Sequence, residues 1–162
     1  MIPYFYYFLA WFFVIFCQIV VSPRIAFGDI YPDAVLAAVV LIGLKRGWKR
    51  GLWFGFAFGL TMDLLNPQNY GWTTVLVSFS GYYAGYVREK IFLDHILYQS
   101  LAVFAFALAY QLLFQLINWP FYFINNFIQL LSNSVFTSLY TAAIALFALF
   151  ILNQRSRLRE LL

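Results

Sequence analysis

The chain has 162 residues, of which 64% are hydrophobic and only 10% are charged, and its formal net charge is +4. Because a soluble domain carries about 25% charged residues, this composition excludes a water-soluble fold and predicts a protein embedded in lipid. The basic residues form short clusters between apolar runs, a pattern that does not indicate a nucleic-acid-binding protein.

Six apolar runs predict an all-α membrane protein with six transmembrane helices in a single domain. The spans are expected at about 2–21, 31–44, 51–65, 71–87, 96–117 and 130–152, with a basic tail at 153–162. A mixed stretch at 119–129 separates the last two spans, and the sequence leaves its conformation open.

The second and third runs are short for membrane spans. Eleven uncharged residues separate Asp33 from Lys45, and twelve separate Arg50 from Asp63. At about 1.5 Å per residue, neither run covers a hydrocarbon core about 30 Å thick. A re-entrant hairpin would hold the four basic residues of 45–50 at mid-membrane, at about 2.5–3.5 kcal/mol each. We therefore expect two spanning helices whose outer ends include Asp33 and Asp63, shielded from lipid by neighbouring helices or by a partner.

The basic residues predict the orientation of the chain. With six spans and a cytoplasmic N-terminus, nine of the ten basic residues lie on the cytoplasmic side, and only Arg24 lies outside. The nine are Lys45, Arg46, Lys49, Arg50, Arg88, Lys90, Arg155, Arg157 and Arg159. This separation follows the positive-inside rule and places both termini in the cytoplasm. The three arginines of the tail are expected to meet anionic lipid headgroups, at about 1 kcal/mol each.

Small residues form a stripe along the third span, at every fourth position. The stripe consists of Gly47, Gly51, Gly55 and Gly59 and ends at Asp63, and Ser78, Gly81 and Gly85 form a shorter version on the fourth span. Small residues at this spacing let a second backbone approach closely, which is how helices associate in lipid. Two interpretations stay open: the stripe packs the helix within its own bundle, or it is a docking face for another membrane protein.

Two aspartates are expected at the outer helix ends. Asp33 follows Pro32 where the second span begins, and both residue types are normal in a first helical turn. Asp63 lies near a helix C-terminus, the unfavourable end of the dipole for a carboxylate, and an ionisable residue in a span is a functional hypothesis by default. An ion pair with Arg24 is the expected role. No nucleophile or metal-ligand set accompanies the aspartates, so no catalysis, metal or cofactor is predicted.

The order of these motifs resembles the rod shape-determining family MreD. The family opens its second span with proline followed by Asn or Asp, as Pro32 and Asp33 do here. Its glycine-rich third span ends in an aspartate, matched by Gly55, Gly59 and Asp63, and a glycine such as Gly71 opens its fourth span. The resemblance covers residues 30–90 by motif. The chain length, the polar start of the last span and the basic tail also resemble the family, in general pattern and not by a specific motif.

The resemblance implies a non-enzymatic scaffold of the cell-elongation (Rod) complex in the bacterial inner membrane, supporting peptidoglycan synthesis and rod cell shape. The expected partner is MreC, a protein with one transmembrane helix, in a larger complex with RodA, penicillin-binding protein 2 and MreB.

The same family is similar to the six-helix S components of ECF transporters, so the alternative is a vitamin-binding S component. Such a site needs a cavity with convergent polar groups. The outer side offers Asp33, Asp63, Asn66, Gln68, Asn69, Tyr70 and Trp72. The polar residues that open the sixth span, Ser132, Asn133, Ser134, Thr137 and Thr141, are expected to form hydrogen bonds across helices or to their own backbone.

Overall fold

The computed structural model describes residues 9, 11–28, 30–69, 71–90, 96–118 and 126–160, with the backbone alone at 69, 89–90 and 151–160. Over these residues the fold is all-helical, which confirms the predicted fold class to that extent, and it contains no strand. The six longer helices are α1 Trp11–Ile25, α2 Ala34–Arg46, α3 Trp48–Leu65, α4 Trp72–Lys90, α5 Ile96–Asn118 and α6 Phe127–Glu160. Of the stretch at 119–129, residues 119–125 lie outside the described part, as do Tyr70 and the start of the first predicted span.

In the part of the chain that the structure describes, two helices, α5 and the Phe127–Phe150 part of α6, are long and apolar enough to cross a membrane. In its described residues α1 is apolar but shorter, and α2 has 13 residues, a rise of about 20 Å. Large apolar side chains cover the periphery of the bundle: Trp53 is 70% exposed and Ile128 is 83% exposed. An exposed apolar surface of this kind requires lipid or another protein against it.

The shortest of the six helices lies at the centre of the fold. Helix α2 contacts α3, α4, α5, α6 and the end of α1, and Val35, Leu36, Val39 and Val40 are almost fully buried. The neighbouring helices therefore surround α2 and bury it inside the bundle. This is the shielding that the short second run required.

Two antiparallel helix pairs flank the central helix. Helix α3 packs along α4, and α5 packs along α6. Gly47 forms the turn between α2 and α3 with a φ of +88°, a conformation that L side chains rarely adopt. Gly71 precedes α4 with a φ of +85°, and its carbonyl accepts the N–H of Val75 at 3.2 Å. Both glycines therefore fix helix boundaries.

Candidate functional site

Side chains from three parts of the chain close the N-terminus of α2. The Asp33 carboxylate accepts the N–H of Leu36 at 2.8 Å, and Gln18 Oε1 accepts the N–H of Ala34 at 2.7 Å. The N–H of Asp33 donates to Thr141 Oγ1 at 3.0 Å. These bonds satisfy donors that a helix leaves unpaired at its first turn. Asp33 is thus an N-cap, and it links α2 to α6.

The other aspartate caps a neighbouring helix. Asp63 Oδ2 accepts the N–H and the hydroxyl of Thr74, at 2.7 and 2.6 Å. Thr74 lies in the first turn of α4, and the antiparallel pairing brings the end of α3 beside it. The positive end of the α4 dipole therefore offsets the unfavourable end of the α3 dipole. The second oxygen, Asp63 Oδ1, is buried without a hydrogen-bond partner.

The expected ion pair with Arg24 is not formed among the described residues. The Asp33 and Asp63 carboxylates accept backbone N–H groups of Leu36 and Thr74 instead, and Arg24 is exposed at the end of α1. Backbone N–H groups of α2 and α4 satisfy these carboxylates, so hydrogen bonds take the place of the expected ion pair. Pro32 is buried immediately before Asp33 and lies outside the helix, since α2 begins two residues later.

Except for Gly47, which forms the α2–α3 turn, the glycine stripe lies inside the bundle, between α3 and α4. A Cβ added to Gly55 would lie 2.8 Å from Ser78 Cα, and one added to Gly59 would lie 2.5 Å from Thr74 Cα. A Cβ added to Gly51 would clash with the Gly81 carbonyl group, and one added to Gly81 would clash with the Gly51 carbonyl group. A Cβ added to Gly85 would clash with the Trp48 backbone. These contacts leave no space for a side chain. Of the two interpretations of the stripe, the structure therefore favours internal packing, and a docking face must be sought elsewhere.

An apolar groove, here called the α3–α4 groove, lies on the surface of this helix pair. It has a volume of about 420 Å³, and its lining residues are Leu52, Phe56, Thr74, Val75, Ser78, Phe79 and Tyr82. The Thr74 and Ser78 side chains of the lining are already engaged: the Thr74 hydroxyl binds Asp63, and Ser78 Oγ donates to the Thr74 carbonyl. The groove is therefore apolar in character and suits a hydrocarbon or aromatic surface.

A polar cavity, here called the amide cavity, lies between α5, α6 and the segment before α2. It has a volume of about 240 Å³, and its lining residues are Tyr31, Gln111, Gln115, Gln129, Leu130, Asn133 and Thr137. Of these residues, only Asn133 and Thr137 were among the candidate polar residues predicted from the sequence. The overlooked signal is the pair Gln111 and Gln115, two carboxamides one helical turn apart in α5.

The outer polar residues proposed from the sequence for a vitamin site do not converge. Asp33 and Asp63 cap different helices, and Asn66 and Gln68 are exposed on the connection between α3 and α4. The Asn69 side chain and Tyr70 lie outside the described residues. The convergent polar groups that such a site needs occur instead in the amide cavity.

Exposed basic side chains gather at the opposite end of the bundle. Lys45, Arg46, Lys49 and Arg50 flank the α2–α3 turn, and the Arg88 guanidinium donates to the Lys45 carbonyl. The Lys49 ammonium lies 5.3 Å from the centre of the Trp48 ring, within range of a cation–π interaction. The Arg88 bond joins the end of α4 to this turn. The side chains of Arg155, Arg157 and Arg159 lie outside the described part of the chain.

Among the residues that the structure describes, no group of three or more His, Cys, Asp or Glu side chains is placed to hold a metal ion. No protein-family model matches the chain, and neither a curated protein nor a solved structure matches it.

Proposed function

We propose that the chain is a multi-pass protein of the bacterial inner membrane, with six spans and both termini in the cytoplasm. The different charged residues at the two ends of the helix bundle support this topology. The α2–α3 turn and Arg88 provide exposed basic side chains at one end, whereas Asp33 and Asp63 lie at the other end as helix caps. Positive charge is retained on the cytoplasmic side of membrane proteins.

Cysteine labelling tests this topology. In a Cys17→Ser background, Lys49→Cys and Gln68→Cys place single thiols at opposite ends of the bundle, and both native side chains are exposed. A membrane-impermeant maleimide should label Gln68→Cys in intact spheroplasts, and Lys49→Cys only after permeabilisation. Equal labelling of both variants before permeabilisation would overturn the topology.

Within that membrane the proposed function is a non-enzymatic scaffold of the cell-elongation complex, similar to MreD. It would bind the single transmembrane helix of an MreC-like partner and support peptidoglycan synthesis and rod shape. RodA, penicillin-binding protein 2 and MreB would join through the larger complex. The observation that carries the proposal is the α3–α4 groove, an apolar surface on the segment whose motifs resemble the family.

The shape of the α3–α4 groove suits a helix as its occupant. Leu52 and Phe56 lie one turn apart on one wall, and Val75, Phe79 and Tyr82 recur at helical spacing on the other. Because the glycine stripe holds the two backbones close together, these longer side chains diverge and leave a groove between two ridges. Ridges and grooves of this kind are the usual geometry by which helices pack.

Filling the groove tests the scaffold proposal. Val75→Trp places a large side chain at a position that is half exposed. Affinity purification in mild detergent should then recover at least tenfold less of the MreC-like partner than wild type does. The matched control is Leu139→Trp, at a similarly exposed position on α6, and its recovery should be unchanged. Equal recovery with both folded variants would contradict docking in this groove.

A second candidate function is the S component of an ECF-type vitamin transporter, and the amide cavity is the observation that favours it. A ligand site is concave and places a few polar groups around its occupant, as the residues of this cavity do. The same purification separates the two functions. A single-span coiled-coil protein with cell-wall synthases supports the scaffold, whereas an ATPase pair supports the transporter.

A further inference from the structure

The described residues that line the amide cavity are polar except for Leu130, and none of them is charged. Gln111, Gln115, Gln129 and Asn133 each contribute a carboxamide, and Tyr31 and Thr137 contribute hydroxyl groups. A carboxamide offers two N–H donors and one carbonyl acceptor, and a hydroxyl group offers both functions. The cavity therefore presents many donors and acceptors in a small volume.

This lining selects against two kinds of ligand. A charged ligand would lose its hydration without meeting an opposite charge among the described lining residues, which is strongly unfavourable. A purely apolar ligand would leave the carboxamides without hydrogen-bond partners, which is also unfavourable. The remaining class is an uncharged ligand that both donates and accepts hydrogen bonds.

One wall of the cavity is held in place before any ligand arrives. Gln115 Nε2 donates to Ser134 Oγ at 3.3 Å, and Ser134, which is 1% exposed, donates in turn to the Leu130 carbonyl at 2.7 Å. The other end of the same amide, Gln115 Oε1, is buried without a hydrogen-bond partner. Because Gln115 lines the cavity, a ligand donor that reaches this acceptor would restore the missing bond.

The floor of the cavity is continuous with the cap of α2. Thr137 is buried, and its carbonyl accepts the hydroxyl of Thr141 at 2.8 Å. Thr141 Oγ1 in turn accepts the N–H of Asp33 at 3.0 Å. The floor therefore belongs to the rigid core of the bundle, whereas Tyr31, which is 49% exposed, and the exposed Gln129 lie toward the opening.

We infer that the amide cavity binds an uncharged, hydroxyl- or amide-bearing small molecule of about monosaccharide size. The cavity volume of about 240 Å³ lies just below the roughly 300–1,000 Å³ of sites for drug-sized ligands. The expected ligand is therefore smaller than a typical drug molecule. The opening lies at the capped end of the bundle, away from the basic cluster. This inference goes beyond the scaffold proposal and does not depend on it.

The test uses the full chain in lipid nanodiscs and three sugars of similar size. N-acetylglucosamine is neutral and carries hydroxyl groups and an acetamide, glucosamine is a cation, and glucuronate is an anion. Isothermal titration should show saturable binding of the neutral sugar, with the two charged sugars at least tenfold weaker. Absence of N-acetylglucosamine binding, or equal binding of all three sugars, would overturn the inference.

Variants locate the binding to the cavity. Gln115→Leu removes the buried acceptor and should weaken binding by about tenfold or more, the effect of one lost hydrogen bond. Gln129→Leu changes an exposed side chain at the opening and should also weaken binding. The control is Gln68→Leu, an exposed glutamine that does not line the cavity, which should bind as wild type does.

The sugar-binding experiments test the cavity independently of the partner-recovery experiments that test the scaffold proposal. Equal affinity of Gln68→Leu and Gln129→Leu would place the sugar elsewhere and overturn the inference. Partner recovery by Gln129→Leu should match that of wild type, because this side chain does not line the α3–α4 groove. Loss of sugar binding with intact partner recovery therefore supports the cavity site, whatever the fate of the scaffold proposal.

Discussion

The α3–α4 and α5–α6 pairs are both antiparallel, yet they pack by opposite means. Glycines bring the α3 and α4 backbones into contact, and no space remains between them at Gly51, Gly55 and Gly59. Neither α5 nor α6 contains a glycine, and their larger polar side chains leave the amide cavity near one end. Small residues thus form a tight pair with an apolar surface groove, whereas amides and hydroxyls form a looser pair with a polar interior.

The largest expected effect breaks the tight pair. Gly55→Leu places a side chain against the Ser78 and Val77 backbones, and because a backbone cannot move aside as a side chain does, we expect a cost above about 3 kcal/mol, beyond ordinary overpacking. The protein should be lost from the folded peak in size-exclusion chromatography. Ala57→Leu is the matched control, since Ala57 is exposed on the same helix. A folded, wild-type-like Gly55→Leu protein would contradict the internal packing.

A smaller effect is expected from removing the hydrogen bonds between Asp63 of α3 and Thr74 of α4. Asp63→Ala removes the acceptor of both Thr74 bonds, and the loss of an N-cap costs about 0.5–2 kcal/mol. Thermal melts in detergent should therefore show a lower midpoint. Asp63→Asn keeps an acceptor and should fall between Ala and wild type. An increase in stability with Asn would mean that the unfavourable α3 dipole dominates over the cap.

The looser pair should respond more weakly to the loss of a single hydrogen bond. Ser134→Ala removes the acceptor of the Gln115 amide, and hydrogen bonds between membrane helices average about 0.6 kcal/mol. The melting midpoint should shift less than in Asp63→Ala. A larger shift would show that polar contacts hold α5 and α6 together as firmly as glycines hold α3 and α4.

The smallest effect is expected at a residue outside both pairs. Arg24 is exposed and forms no ion pair with Asp33 or Asp63 among the described residues. Arg24→Ala should therefore change stability by no more than about 0.5 kcal/mol, as surface substitutions usually do. A loss as large as that of Asp63→Ala would restore the ion pair that the sequence suggested.

Much of the local structure could be predicted from the sequence. Long apolar runs predict helices because a backbone in an apolar environment must satisfy its own hydrogen bonds. Pro32 and Asp33 indicated the start of α2, where Asp33 is the N-cap, and the basic residues of 45–50 indicated the turn at its end. These features depend on neighbours in the chain, so a single sequence contains the information.

The candidate sites could be predicted only in part. Asn133 and Thr137 were recognised as polar groups in α6, but their convergence with Gln111 and Gln115 of α5 on one cavity was not. The spacing of residues along a helix shows which side chains share a face, and it does not show which neighbour that face meets. For the same reason the sequence could not distinguish an internal glycine stripe from a docking face.

The sequence by itself determined that the chain is helical, that its surface is suited to lipid, and that its basic residues lie in clusters between the helices. Only the tertiary structure decided that the glycine stripe faces α4, that Asp63 caps α4 instead of pairing with Arg24, and that four carboxamides meet in one cavity. The physical reason is that helix formation depends on local hydrogen bonds and periodicity, whereas packing depends on which distant surfaces fit together.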